Sequence, residues 1–179
     1  MQKLSYCLWF DGKAEEAANF YVSVFKDSRI VNTARYPEGS PGAAGSVMTV
    51  EFILNGEKFL ALNGGPQYKF TPAISFVANC DTQEEIDDLW RKLTPGGQEV
   101  ACGWLTDRFG VSWQIVPSAM SELLGSTDKA AAQRAFTAML GMKKLDLPVL
   151  QRAYEGADSS AESAGVWWRD SSSSPKALL

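Results

Sequence analysis

Glu51 is the only carboxylate placed in the middle of a strongly apolar run, Val47 to Leu54. A carboxyl buried there would have a raised pKa and could act as a general base. The competing expectation is that it faces solvent or pairs with a basic side chain such as Arg35, because buried unpaired acids are rare. The three cysteines, Cys7, Cys80 and Cys102, are odd in number and lack CxxC spacing, as expected of free thiols in a reducing compartment. No histidine or nearby cation lowers the thiol pKa of Cys7 or Cys102, so both are expected to be buried and inert. The acid pairs Glu15-Glu16 and Glu84-Glu85 fall at helix starts, where the helix dipole favours them, and do not form a catalytic carboxylate pair. The sequence contains no histidine at all. That removes the commonest metal ligand and the usual base near neutral pH, and with them Ser-His-Asp, Cys-His and HExxH chemistry.

Regular elements must hold these groups. Leu4 to Phe10 alternates with period two and reads as a strand, and Ala14 to Phe25 takes helical spacing along Ala17, Phe20, Tyr21 and Val24. Ser28 to Tyr36 is a second strand. Val47 to Leu54 and Glu57 to Leu62 form a hairpin closed by Asn55-Gly56. The order then begins again. Ala73 to Asn79 is a strand, and Asp81 to Thr94 is a helix stopped by Pro95-Gly96-Gly97. Gln98 to Leu105 and Val111 to Val116 are further strands. Helices are expected over 118–124, 127–142 and 147–154, the second capped by Ser126 or Thr127 and the third started by Asp146 and Pro148. Ala135, Met139 and Met142 form a stripe that could cover a sheet edge or a partner subunit. From Gly156 the chain is Ser-, Ala- and Gly-rich and reads as a disordered tail, with Trp167-Trp168 anomalous inside it.

The two runs align as an internal repeat. Residues 14–21 lie over 83–90 with both acids and the following large residues in register. Leu4, Tyr6 and Leu8 lie over Ile74, Phe76 and Ala78, and Gly56 to Leu62 over Gly110 to Val116. The expected fold is therefore α+β: two tandem βαβββ modules forming a cupped mixed sheet, followed by C-terminal helices. The expected boundaries are 1–66 and 67–117 for the modules, 118–155 for the helical extension and 156–179 for the tail.

At 179 residues, with 45 % apolar and 21 % charged residues, the chain has the composition of a soluble domain. A net charge of -4 without a basic cluster argues against nucleic acid and anionic membranes as partners. The apolar run after Lys3 ends at Asp11, too short for an export signal or a membrane span, so a cytoplasmic location is expected.

Several long motifs occur in order: Leu8-Trp9-Phe10-Asp11-Gly12-Lys13-Ala14-Glu15-Glu16-Ala17 with Asn19-Phe20-Tyr21, then 45–52, 61–66, Cys102-Gly103-Trp104-Leu105 and 107–117. With them, about residues 3 to 155 closely resemble the PhnB-like branch of the vicinal oxygen chelate superfamily, which includes glyoxalase I, extradiol dioxygenases and bleomycin-resistance proteins. Members are often labelled 3-demethylubiquinone-9 3-methyltransferase. Metal-dependent relatives place His or Glu on the first and last strands of each module, which here fall near Ser5, Leu60, Ala73 and Gln114. Leu and Ala cannot ligate, Ser is a poor ligand and Gln offers one amide oxygen, so no metal is expected. No cofactor is expected either. The Gly-rich stretches 39–45 and 63–66 join strand to strand, whereas a nucleotide-type site needs such a turn between strand and helix.

The resemblance further implies one sheet face covered by helices and one left for a ligand. Trp9, Glu51, Asn63, Gln67, Tyr68, Trp104 and Gln114 are the expected pocket wall. For Trp9 and Trp104 ordinary core packing competes with this reading, and for Gln114 a satisfied buried amide does. Gln67 stands where relatives often carry His. The expected function is a metal-free small-molecule-binding protein that forms a homodimer. One alternative is an enzyme of the same superfamily acting without a divalent metal, and another is a structural or regulatory dimer.

Overall fold

A computed structural model describes residues 4–157, and the Trp167-Trp168 pair lies outside them, as does nearly all of the expected tail. The first module runs β1 (Tyr6–Phe10), α1 (Ala14–Val24), β2 (Arg29–Arg35), β3 (Val47–Leu54) and β4 (Glu57–Asn63). The second runs β5 (Ser75–Cys80), α2 (Gln83–Leu93), β6 (Gln98–Glu99), β7 (Trp104–Thr106) and β8 (Ser112–Pro117). Each module builds one four-stranded mixed sheet, in the orders β1-β4-β3-β2 and β5-β8-β7-β6. In both, the first strand runs parallel to the last and the remaining pairs are antiparallel.

The repeat extends to individual register. Tyr6 lies beside Phe59 in the first sheet and Phe76 beside Trp113 in the second, which are the partners that the two sequence alignments equate. The four rings also meet across the modules, with Tyr6–Phe59 centroids at 4.9 Å, Phe59–Phe76 at 5.2 Å and Phe76–Trp113 at 5.3 Å.

One core joins the modules. Leu8, Phe10, Val50, Phe52, Phe59 and Ala61 face α1, and Ile86, Trp90 and Leu93 of α2 pack with Leu105, Trp113 and Ile115. Tyr21 crosses from α1 to the second sheet, its ring 5.6 Å from that of Trp113. Its hydroxyl donates to Asp107 Oδ2 at 2.8 Å, and Trp113 Nε1 donates to the same oxygen at 2.8 Å. Asp107 Oδ1 accepts the backbone N–H groups of Phe109 (2.8 Å) and Val111 (3.1 Å). This buried carboxylate thus ties α1 to the turn between β7 and β8.

Three sequence expectations change. The stretch Gln98 to Leu105 is two short strands, because Cys102 and Gly103 both take positive φ (58° and 83°) and break the ladder. Ile115 N donates to Gly103 O at 2.8 Å, and an added Cβ at Gly103 would lie 2.7 Å from the Ile115 carbonyl oxygen, so the bend needs glycine. The cap of α4 (Lys129–Leu140) is Asp128, whose carboxylate accepts from Ala130 N and Ala131 N, rather than Ser126 or Thr127. Cys7 is exposed rather than buried, because its side chain lies on the sheet face that α1 leaves uncovered.

The extension consists of α3 (Met120–Gly125), α4 and α5 (Leu147–Glu155). Asp146 starts α5 by accepting from Val149 N at 2.9 Å, with Pro148 in the first turn, as the sequence predicts. Met139, Leu145 and Leu150 form a second small core that includes Cys102 and Val116, so the Ala135–Met139 side of α4 is buried within the chain. Gln83 fastens the extension to α2, accepting from Leu147 N at 2.7 Å and donating to Leu145 O at 3.2 Å.

Candidate functional site

Residues opposite one another in a sheet share a face. Cys7, Leu60, Glu51 and Asn32 therefore form one row across the uncovered face of the first sheet, and Trp9, Leu62, Thr49 and Ala34 the next. On the second sheet Val77, Gln114 and Trp104 share the equivalent face. The seven expected wall residues thus separate into two groups.

Trp9, Asn63, Gln67 and Tyr68 gather at the carboxyl ends of β1 and β4. Trp9 Nε1 donates to Gly65 O at 2.8 Å, and its ring meets Tyr68 edge-on at 5.0 Å. Gly64 makes this possible, since an added Cβ would lie 2.2 Å from the indole. Asn63 has a structural commitment that its sequence position does not reveal. α1 begins at Lys13 without a side-chain cap, and Asn63 Oδ1 accepts the Ala14 N–H at 2.9 Å in its place. Its Nδ2 donates to Val47 O at 3.0 Å, and its backbone oxygen accepts from the Tyr36 hydroxyl at 2.6 Å.

Beside this group opens a polar cleft of about 640 Å³, lined by Gln67, Asn63, Gly64 and Gly65 together with Asp11, Glu15, Arg35 and Tyr36. It combines two carboxylates, one guanidinium and an exposed amide with the Tyr36 ring, and the Trp9–Tyr68 pair stands beside it, outside its lining. That combination can orient a small polar molecule by hydrogen bonds and cover one side of it with a ring.

Glu51 stands exposed in the middle of the same sheet face, in the row next to that of Trp9, and does not line this cleft. Trp104 and Gln114 lie on the other sheet, half-buried. Gln114 Nε2 donates to Ser75 Oγ at 2.9 Å, so its amide is oriented within the sheet face. Neither described cavity is lined by both groups.

A second cleft, of about 740 Å³, lies on the seam between the modules and is lined by Tyr6, Phe25, Phe59, Phe76 and Trp113 among others. Sequence reasoning missed it because its walls come from both modules. The aligned pairs Tyr6/Phe76 and Phe59/Trp113 were the signal available.

The donor set does not fit a divalent transition metal. Of the expected ligand positions, Ser5 and Ala73 precede β1 and β5, while register places Leu60 beside Cys7 and Gln114 beside Val77, so these positions and their neighbours offer one hydroxyl, one thiol, one amide and aliphatic groups. Among the described residues no group of three or more Cys, Asp or Glu is arranged to hold a metal ion. A nucleotide-type cofactor fits no better. The loop 36–46 joins β2 to β3, and the Gly64-Gly65 turn leads on towards β5. The starts of α1 after β1 and α2 after β5 are already occupied: Asn63 accepts the first N–H of α1 and Thr82 caps α2, with Glu15 and Glu16, and Glu84 and Glu85, in their first turns.

The sequence matches the family described as 3-demethylubiquinone-9 3-methyltransferase over residues 2–116. The chain belongs to this family. Among solved structures, the putative 3-demethylubiquinone-9 3-methyltransferase (PhnB protein) of Bacillus cereus is 41 % identical, with 65 % of this chain and all of that chain covered and a TM-score of 0.61. A Pseudomonas aeruginosa protein of 22 % identity, covering 65 % of this chain and 96 % of its own with a TM-score of 0.53, shares the fold. No curated protein matches the chain. Family membership and the paired modules place the protein in the PhnB-like branch of the vicinal oxygen chelate superfamily. The helical extension after residue 117 lies beyond the family match. No helix among the described residues is long and apolar enough to cross a membrane.

Proposed function

We propose that this family member binds a small polar or planar molecule without a divalent metal, in the cleft at the carboxyl ends of β1 and β4. The observation that supports this most is a polar cleft lined by Gln67 and Arg35 with the Trp9–Tyr68 ring pair beside it, next to rows whose few donors do not make up a metal site. Gln67 lines the cleft, Trp9 and Tyr68 stand at its edge, and Asn63 holds α1 against it. Trp104 and Gln114 lie on the other sheet and line neither described cavity, whereas Glu51 shares the sheet face of Trp9 one row away. A homodimer that turns the second sheet of one copy towards the first sheet of the other would bring these residues together, and this is the assembly we favour.

Extraction of small molecules from wild-type protein and from Trp9→Ala and Gln67→Ala variants, compared by mass spectrometry, tests the reading. A compound retained at close to one per chain by the wild type and lost by both variants is expected. Equal retention by all three proteins, or retention that depends on added zinc, nickel or iron, would overturn it. An enzymatic role rests on the same cleft, and turnover of the retained compound would reveal it.

A further inference from the structure

The seam cleft has a floor of aromatic rings. Tyr6 and Phe59 from the first module meet Phe76 and Trp113 from the second, and Phe25 at the end of α1 stacks on Trp113 with centroids 5.1 Å apart and planes 23° from parallel. Its mouth is apolar and open to water: Tyr6 is 49 % exposed, Val77 53 % and Ile74 77 %. An apolar patch that remains open to solvent beside a cleft marks a binding surface more often than a defect of packing. The volume, about 740 Å³, suits a drug-sized molecule.

The charge on the walls selects among ligands. α2 contributes Glu84, Glu85 and Asp88, and the β3–β4 turn contributes Glu57, against one cation among the described lining residues, Lys26. Asp88 is already paired with Arg91 and Lys92, so the excess at this end comes chiefly from Glu84 and Glu85. The start of α2 adds little positive character, because Thr82 accepts the Glu85 N–H and Glu85 in turn accepts the Asp81 N–H. Cys80, in the same lining, reports the same field: burial, then the negative charge of Glu85 and Asp81, push its thiol up to about 11. Aromatic faces and carboxylates both attract cations, and the desolvated rings increase the attraction.

We propose that the seam between the modules is a binding site for a planar aromatic organic cation, separate from the cleft at the ends of β1 and β4. The rings of Tyr6, Phe25 and Phe76 stack on the ligand, and Glu84 and Glu85 meet its charge. An aromatic anion meets the same rings but the wrong rim.

Titration of the full chain with rhodamine 6G, a planar cation, and with fluorescein, a planar anion of similar size, tests this by fluorescence anisotropy. One rhodamine 6G per chain is expected, at least about tenfold tighter than fluorescein. Tyr6→Ala should weaken it about tenfold. Glu84→Lys, an exposed helix position that should not disturb folding, should weaken it about threefold or more and narrow the preference over fluorescein. Trp9→Ala should leave it unchanged. Equal binding of the two dyes, or rhodamine binding indifferent to both Tyr6→Ala and Glu84→Lys, would overturn the proposal. So would one dye per two chains with release on concentrating the protein, which would mean that a second copy covers the seam. Loss of dye only in Trp9→Ala would place it in the other cleft, overturning the seam site while leaving the proposed function intact.

Discussion

Replacing Asp107 by alanine tests the joint between the two modules. The carboxylate is 2 % exposed and accepts four hydrogen bonds: from the Tyr21 hydroxyl, Trp113 Nε1, Phe109 N and Val111 N. Alanine strands all four donors where water reaches them poorly. A buried donor left without an acceptor costs about 1–3 kcal/mol, and the Tyr21 hydroxyl and some relaxation can recover part of that. The expected net loss is about 3–5 kcal/mol, as for other buried polar groups deprived of their partner. Asp107→Asn keeps Oδ1 for the two backbone donors but turns an amide N–H towards the indole N–H, so about 2–3 kcal/mol is expected. Tyr21→Phe removes a single donor and should cost about 1–2 kcal/mol. Urea unfolding followed by tryptophan fluorescence measures each, and the Asp107→Ala/Tyr21→Phe double mutant completes the cycle. The two losses should be strongly non-additive, because both delete the same bond. A loss below about 1 kcal/mol for Asp107→Ala, or additive losses, would refute the assignment of this carboxylate as the inter-module tie.

Three further outcomes are expected. Gly64→Ala places a methyl group within the Trp9 ring, so it should displace the indole, red-shift its emission and destabilise the fold by about 1–3 kcal/mol. Asn63→Ala uncaps α1 and frees Val47 O, costing about 1–2 kcal/mol in the same urea assay. Alkaline pH should destabilise the protein through two groups whose folded pKa is raised: Cys80, pushed from 9.0 to about 11, and Tyr21, pushed well above 10 by burial and by Asp107. The unfolded chain releases these protons first, so stability is complete below about pH 9 and falls as pH rises through the folded values. Cys80→Ala should remove the part of the decline between pH 9 and 11, and an unchanged profile would show that the thiol does not take part.

The elements whose signal is local were legible in the sequence. Alternation marked β1, the Asn55-Gly56 pair set the β3–β4 hairpin, and the two alignments equated Tyr6 with Phe76 and Phe59 with Trp113, which the structure then pairs in matching register. Features set by long-range contact were not legible. The break at Cys102-Gly103 follows from the extension, since Cys102 N and Gly103 N donate to Met142 O and Lys143 O forty residues away. Asp107 reads as an ordinary turn acid until Tyr21 arrives from the first module. Asn63 was expected as pocket wall, yet its amide serves the start of α1 and the backbone of β3, a role visible only once β4 and α1 are side by side. The expected wall was a single list because faces can be read from one strand, whereas which two faces share a cavity depends on how sheets are assembled.

The central claim is that the paired modules hold a small molecule without a divalent metal. Native mass spectrometry of the protein purified from its own cell tests it most directly, since one spectrum reports chain number, bound mass and metal. The expected result is a dimer whose mass exceeds that of two chains by an organic ligand, with no stoichiometric zinc, nickel, iron or manganese. A divalent metal bound at one per chain, or a mass equal to that of the bare chains under every gentle condition, would contradict it.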